Sequence, residues 1–160
     1  MNIFYLDRDP KVCAQAMTDK HVVKMIVESA QLLSTAHHTL DKEFAIRNIY
    51  KTTHANHPSA VWVRESSHHY KWLFNHFLHL CDEYTIRYKK RHKTDKELSH
   101  LLQTLPNNIQ DNGFTQPPQA MPPIYYHEDS VSAYRQYYLS EKLQTKKDTE
   151  RFSRILYGTQ

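Results

Sequence analysis

Only two glycines occur in this chain of 160 residues, and this scarcity limits the folds that are open to it. Tight turns between β-strands depend on glycine for positive φ angles, so a sheet with many hairpins is disfavoured. The same scarcity excludes the glycine-rich phosphate loops of P-loop and dinucleotide-binding folds. The sequence therefore predicts an all-α fold, an irregular helical bundle with a short extended N-terminal segment, in a single domain over residues 1–160.

Apolar residues at helical spacing support this fold class. Residues 20–38 carry apolar side chains three or four positions apart, on one face of a helix: Val22, Met25, Ile26, Ala30, Leu33 and Ala36. Asp9-Pro10 and His57-Pro58 indicate helix starts, because proline fits the first helical position. Residues 2–6 alternate weakly and predict a short strand or an extended arm.

The second half of the chain is expected to contain helices around a proline-rich loop. A long helix is expected over residues 68–92. Residues 106–124 contain five prolines, which predict a loop. Asp129-Ser130 predicts the start of a last helix that runs to about residue 147, followed by an aromatic and basic tail packed on the body.

The composition indicates a soluble protein of the cytoplasm. No window approaches the ~18 uninterrupted apolar residues of a membrane span, so no membrane partner is expected. The first ten residues lack the basic region and cleavage site of a signal peptide. Cys13 and Cys81 are too few for a disulfide framework. A homo-oligomer stays open at this point.

Charge and aromatic content favour a nucleic acid or a nucleotide as the partner. The chain has 21 Lys and Arg against 17 Asp and Glu, for a net charge of +4, together with 12 His and 11 Tyr. Basic charge attracts phosphates, and aromatic rings stack on bases.

Three side chains with catalytic potential share one stripe of the helix over residues 20–38. His21, Lys24 and Glu28 fall within a sector of roughly 80° on a helical wheel. An imidazole, an ammonium and a carboxylate together can supply a base, a phosphate contact and a charge stabiliser. These three are therefore the catalytic candidates, and Lys20 is a substrate-binding candidate. The alternative is that the stripe is the solvated face of an amphipathic helix.

A second stripe on the long helix supplies further substrate-binding candidates, namely Trp72, His76, Glu83, Arg87 and Lys90. Tryptophan is unfavourable in water and is typical of interfaces and pockets. If the two stripes face one another, Glu28 and Glu83 line a cleft with basic and aromatic walls. The alternative is salt bridging between the helices.

Other binding candidates come from a basic run and from scattered polar residues. Arg87, Lys90 and Lys93 belong to a run of six basic residues between positions 87 and 96, which is expected to bind phosphates or to complement a helix dipole. The remaining candidates are Asn56, His57, Arg64 and Gln119, whose amide can read a base edge. The histidines show no metal-binding motif, so neither a metal nor another cofactor is expected.

Several stretches resemble a family of small, mostly uncharacterised proteins of tailed bacteriophages. The resemblance covers most of the chain and rests on MNIFYLDRDP, DKHVVKMIVESAQLLSTAHH and NHPSAVWVRESSHHYKWL. It implies the cytoplasm of an infected bacterial host as the location and says little about activity.

The helix with Asp19, His21 and Glu28 also resembles the first helix of the phage pyrimidine-dimer DNA glycosylases, the endonuclease V type. Those proteins are small, basic and all-helical. The resemblance implies that an N-terminal amine attacks C1′ of the sugar to form an imine, while Glu28 stabilises the sugar cation. In that family, removal of the initiator Met before a small residue exposes the nucleophilic amine. Position 2 is Asn here, which disfavours that removal. The alternative nucleophile is Lys20 or Lys24, if burial lowers its pKa.

Three functions follow from these patterns. The first is an enzyme that cleaves an N-glycosidic or phosphodiester bond in nucleic acid, similar to a DNA glycosylase. The second is a phage counter-defence protein that binds or degrades a nucleotide signal, including a cyclic nucleotide. The third is a non-catalytic nucleic-acid-binding module.

Overall fold

Seven α-helices follow an extended N-terminal arm in the computed structural model, which describes residues 1–158. The helices are α1 Pro10–Gln15, α2 Asp19–Asp41, α3 Pro58–Glu65, α4 Ser67–Tyr88, α5 Lys93–Leu102, α6 Ser130–Tyr137 and α7 Lys146–Tyr157. Short 3₁₀ helices span Lys42–Phe44 and Pro123–Tyr125, and a π-helical segment spans Tyr138–Lys142. Residues 1–158 contain no β-strand, and the all-α prediction is confirmed.

Polar caps set the starts of the helices that carry the site. The side chain of Thr18 accepts a hydrogen bond from the His21 backbone N–H and caps α2. His57 caps α3 in the same manner, with Pro58 at its first position. Ser66 has extended backbone angles between α3 and α4, so the chain breaks there and restarts.

The N-terminal arm lies inside the bundle. Residues 3–6 are buried and do not pair into a sheet, which corresponds to the arm and not to the strand alternative. The arm turns at Phe4, whose φ is 54°, and the Leu6 N–H donates a hydrogen bond of 2.8 Å to the Phe4 carbonyl. The side chain of Cys13 donates a hydrogen bond to the Phe4 carbonyl and fixes the arm against α1. In the centre α2 packs against α4, α1 covers α4, and α3 contacts both long helices.

The C-terminal part departs from the predicted single helix over residues 130–147. Leu143 has extended backbone angles (φ −83°, ψ 99°) and ends the helical stretch after the π-helical segment. Thr145 then caps α7 by accepting a hydrogen bond from the Asp148 N–H. The aromatic tail is itself the helix α7, whose Phe152 is fully buried.

The proline-rich loop is ordered by side chains of the helices. The buried carboxylate of Asp41 accepts hydrogen bonds from the backbone N–H groups of Asn107 and Asn108, at 2.8 and 3.0 Å. Trp62 donates a hydrogen bond of 3.0 Å to the Thr115 carbonyl.

The helices within residues 1–158 are all too short or too polar to cross a membrane.

Candidate active site

An ion pair joins the chain terminus to the middle of α2. The α-amine of Met1 lies 3.9 Å from Glu28 Oε1. The side chains of Met1 and Glu28 are only 4% and 16% exposed, so the protein covers most of the pair. A primary amine can act as a nucleophile, and a carboxylate beside it can accept a proton or stabilise a cation.

Asn2 holds the amine in place. Its Oδ1 accepts hydrogen bonds from the backbone N–H groups of Ile3 and Phe4, at 2.7 and 2.9 Å. Its Nδ2 donates a hydrogen bond of 2.8 Å to the Ala120 carbonyl. The side chain therefore links the start of the arm to the proline-rich loop.

The positive charge of the Met1 ammonium affects the pKa of His57. Its Nδ1 accepts a hydrogen bond of 3.0 Å from the Ser59 N–H, as the cap of α3. Partial burial lowers the pKa of His57, and the positive charges of the Met1 ammonium and of His54 lower it further. His57 therefore lies within electrostatic range of the Met1 ammonium.

His21 occupies an aromatic pocket on the same helix as Glu28. Its ring stacks on Phe4 with centroids 4.3 Å apart, and its Nδ1 is hydrogen-bonded to Tyr138 Oη at 2.8 Å. Burial lowers the pKa of His21 to about 4, and the charges of Lys142, Lys24 and Lys20 act in the same direction. The imidazole is neutral near pH 7, about 10 Å along the helix axis from Glu28.

Three lysines form a basic surface around His21, and we call Lys20, Lys24 and Lys142 the lysine patch. Lys20 and Lys24 are exposed on the first half of α2. Lys142 Nζ lies 5.0 Å from the ring centre of Tyr137 and 6.0 Å from that of Phe4. The patch presents positive charge suited to phosphates beside the amine and Glu28.

The sequence model of the pyrimidine dimer DNA glycosylase family matches residues 1–96, which include Met1, Glu28 and His57. The chain belongs to the pyrimidine dimer DNA glycosylase family. No curated protein and no solved structure matches it. The resemblance to proteins of tailed bacteriophages stays a prediction.

In this member of the glycosylase family, α1 and the turn before it cover the second stripe, which does not lie opposite Glu28. Trp72 Nε1 donates to the Arg8 carbonyl at 2.8 Å, and His76 Nδ1 donates to the Pro10 carbonyl at 3.1 Å. Both polar groups are thus occupied by backbone, which corrects the expectation of a cleft that Glu28 and Glu83 share. Glu83 lines a different cavity, of about 720 Å³, with Lys11 and Gln15 of α1.

Arg87 is mostly buried and links α4 to α1 and α2 in this family member. Only 9% of its side chain is exposed, and its guanidinium donates to the carbonyls of Gln15 and Met17 and to the carboxylates of Asp19 and Glu83. The alternative of salt bridging between the helices therefore describes Arg87 and Asp19, whereas Glu83 pairs with Arg87 within α4. The predicted contacts of Arg87 and Glu83 with substrate stay a prediction.

The remaining binding candidates are spread over the surface. Lys90 and Lys93 are exposed beyond the end of α4. Arg64 donates a hydrogen bond of 2.6 Å to the Ala55 carbonyl, and the Gln119 amide bonds to the backbone of His127. Asn56 lines an open pocket of about 450 Å³ with Trp62 and Thr115. Among these candidates, His57 is the one whose pKa the charge of the Met1 ammonium lowers.

Tyr138 and Lys142 are site neighbours that the sequence did not reveal. Both come from the π-helical segment, more than 100 residues from His21, and no spacing rule connects them with α2. Their signal in the sequence is only the aromatic character of the Tyr137-Tyr138 pair.

Across residues 1–158, no three His, Cys, Asp or Glu side chains are grouped so as to hold a metal ion.

Proposed function

We propose that the chain is a DNA glycosylase for pyrimidine dimers, in which the α-amine of Met1 is the nucleophile and Glu28 stabilises the sugar cation. The observation that carries this proposal is the distance of 3.9 Å between the amine and Glu28 Oε1. Membership of the pyrimidine dimer DNA glycosylase family supports the substrate class.

The reaction needs a free amine and a nearby negative charge. The amine nitrogen bonds to C1′ while the glycosidic bond breaks, and the departing base takes the electron pair of that bond. Positive charge builds at C1′ and the ring oxygen as the bond lengthens, and the Glu28 carboxylate stabilises it. The nitrogen then gives a proton to the departing base. The sugar ring opens as O4′ takes up a proton from solvent, which leaves a protonated imine between Met1 and C1′.

Packing favours Met1 over other amines as the nucleophile. The Met1 side chain is almost fully covered and contacts the core. The side chain of Asn2 is an amide and not an amine, and its hydrogen bonds to three backbone groups fix the chain next to Met1. A lysine becomes a nucleophile when burial lowers its pKa. Lys20 and Lys24 are exposed, so they lack this activation.

Borohydride trapping tests the assignment. The protein is incubated with a duplex that carries a pyrimidine dimer, the imine is reduced, and the cross-linked peptide is identified by mass spectrometry. We expect the adduct on the peptide that begins with Met1, and none on protein whose α-amine is acetylated. An adduct on Lys20 or Lys24 would contradict the role of Met1, and binding without any adduct or cleavage would favour a non-catalytic module.

A further inference from the structure

An exposed apolar tip projects from the proline-rich loop. Ile124 is 85% exposed, the highest value among the large apolar side chains of residues 1–158, and Tyr126 beside it is 57% exposed. A branched apolar side chain in water is unfavourable, so a tip built to display one indicates a partner surface.

The tip is ordered before any partner binds. Pro122 and Pro123 fix their own φ angles, and the Tyr126 N–H donates to the Pro123 carbonyl at 3.0 Å in a 3₁₀ turn. The Tyr125 ring packs against Tyr137 with centroids 5.3 Å apart. Because the turn is already rigid, little conformational entropy is lost when Ile124 meets a partner.

The tip stands next to the amine centre. The carbonyl of Ala120 accepts the hydrogen bond from Asn2, and four residues of chain from Ala120 to Ile124 span at most about 14 Å. Tyr137, which packs against Tyr125, lies under Lys142 of the lysine patch. Nucleophile, positive charge and apolar tip are therefore neighbours.

We propose that Ile124, held on the rigid turn of residues 122–126, inserts between stacked base pairs of duplex DNA beside the lesion. Apolar side chains that enter a base step unstack it and kink the duplex. This opening gives the amine access to C1′, which is otherwise enclosed in the stack. The lysine patch complements the flanking phosphates, which favours duplex DNA over a second copy of this basic chain as the occupant. The inference rests on the proposed function for the position of the lesion.

Two measurements on Ile124→Ala and Ile124→Leu test the insertion. The first is the fluorescence of 2-aminopurine placed next to a tetrahydrofuran abasic analogue in a duplex, which rises when the base unstacks. The second is the single-turnover rate of borohydride trapping at a true abasic site, in duplex and in single-stranded DNA. Phe44→Ala is the matched control, since Phe44 is 78% exposed on the 3₁₀ helix after α2.

We expect Ile124→Ala to lose most of the fluorescence rise and to slow trapping in duplex DNA by about tenfold, because the unstacking contact is lost. Trapping in single-stranded DNA should be unchanged, and Ile124→Leu and Phe44→Ala should behave like the wild type. A fluorescence rise equal to the wild type in Ile124→Ala would overturn the insertion, even with intact trapping. If Ile124→Ala changed only the sedimentation of the free protein, that result would also overturn the insertion and would indicate self-association.

Failure of the amine chemistry has a different signature. If the wild type unstacks the probe and Ile124→Ala does not, while no protein forms an imine on either DNA, the insertion stands and the proposed nucleophile is wrong.

Discussion

Asn2 Nδ2 donates a hydrogen bond of 2.8 Å to the carbonyl of Ala120, across 118 positions of sequence. The bond links the arm, inside the family match, to a loop outside it. The amine that we propose as nucleophile is therefore held by both parts of the chain.

Replacing Asn2 should loosen this arrangement. Asn2→Leu keeps the size of the residue but removes the acceptor for the Ile3 and Phe4 N–H groups and the donor to Ala120. We expect a loss of about 1–3 kcal/mol in the free energy of unfolding and slower imine trapping, because buried polar groups lose their partners. Urea denaturation measures the first effect. Asn75→Leu, on the exposed side of α4, is the control, and equal stability of both variants would contradict the role of Asn2.

Glu28→Gln should separate catalysis from folding. The amide cannot stabilise a sugar cation as the carboxylate does, so we expect the single-turnover rate to fall on the order of 10² or more with DNA affinity retained. The loss of the ion pair with Met1 should cost about 1–3 kcal/mol in stability, because the protein covers most of the pair, so the rate is measured well below the melting temperature of the variant. Glu43→Gln, on the exposed 3₁₀ helix, controls for loss of a surface charge. A fully active Glu28→Gln would end the catalytic assignment.

The lysine patch and Arg87 should respond oppositely to salt titration. We expect Lys24→Gln to reduce the slope of log affinity against log salt by about 0.9, the contribution of one phosphate contact. Arg87→Gln should leave the slope unchanged and lower the free energy of unfolding by about 3 kcal/mol, since the mostly buried Glu83 carboxylate loses its partner while Asp19 keeps Arg151 and Lys147.

The same titration tests the exposed basic run after α4. Lys90→Gln should reduce the slope as Lys24→Gln does if that run binds phosphate. A slope that moves only with Lys90 would place the DNA away from the lysine patch.

Stability should fall in acid because four imidazoles are buried, those of His21, His37, His69 and His76, and burial lowers the pKa of each. Burial lowers the pKa of His21 and of His76 to about 4. The unfolded chain binds their protons near pH 6.5, so stability is fully present above that pH and falls as the pH drops towards 4. Each histidine should contribute a slope of about 1.4 kcal/mol per pH unit in this window.

His21→Gln should remove one of these contributions, as measured by urea denaturation at several pH values. His100→Gln, at an exposed site on α5, serves as the control and should keep the slope of the wild type. An unchanged slope in His21→Gln would show that His21 is already protonated in the folded protein at mildly acidic pH.

Local sequence determined the helical class and most of the helix starts. The spacing of Val22, Met25 and Ala30 fixes which face of α2 is buried, and all three are buried. Pro58 and Ser66 set the boundaries of α3 and α4 through backbone geometry that neighbouring residues alone define. Glu28 was accessible to sequence reasoning for the same reason, because its place on the stripe depends only on helical spacing.

Tertiary structure decided which surfaces meet. Helical spacing groups Trp72, His76 and Arg87 on one face, but only the path of residues 8–17 shows that α1 and its flanking turns cover that face. Two partners come from segments more than 100 residues away, namely Tyr138, which is bonded to His21, and Ala120, which is bonded to Asn2. Periodicity encodes the direction of a side chain about its own helix axis, whereas its partner depends on how the whole chain packs to bury its apolar faces.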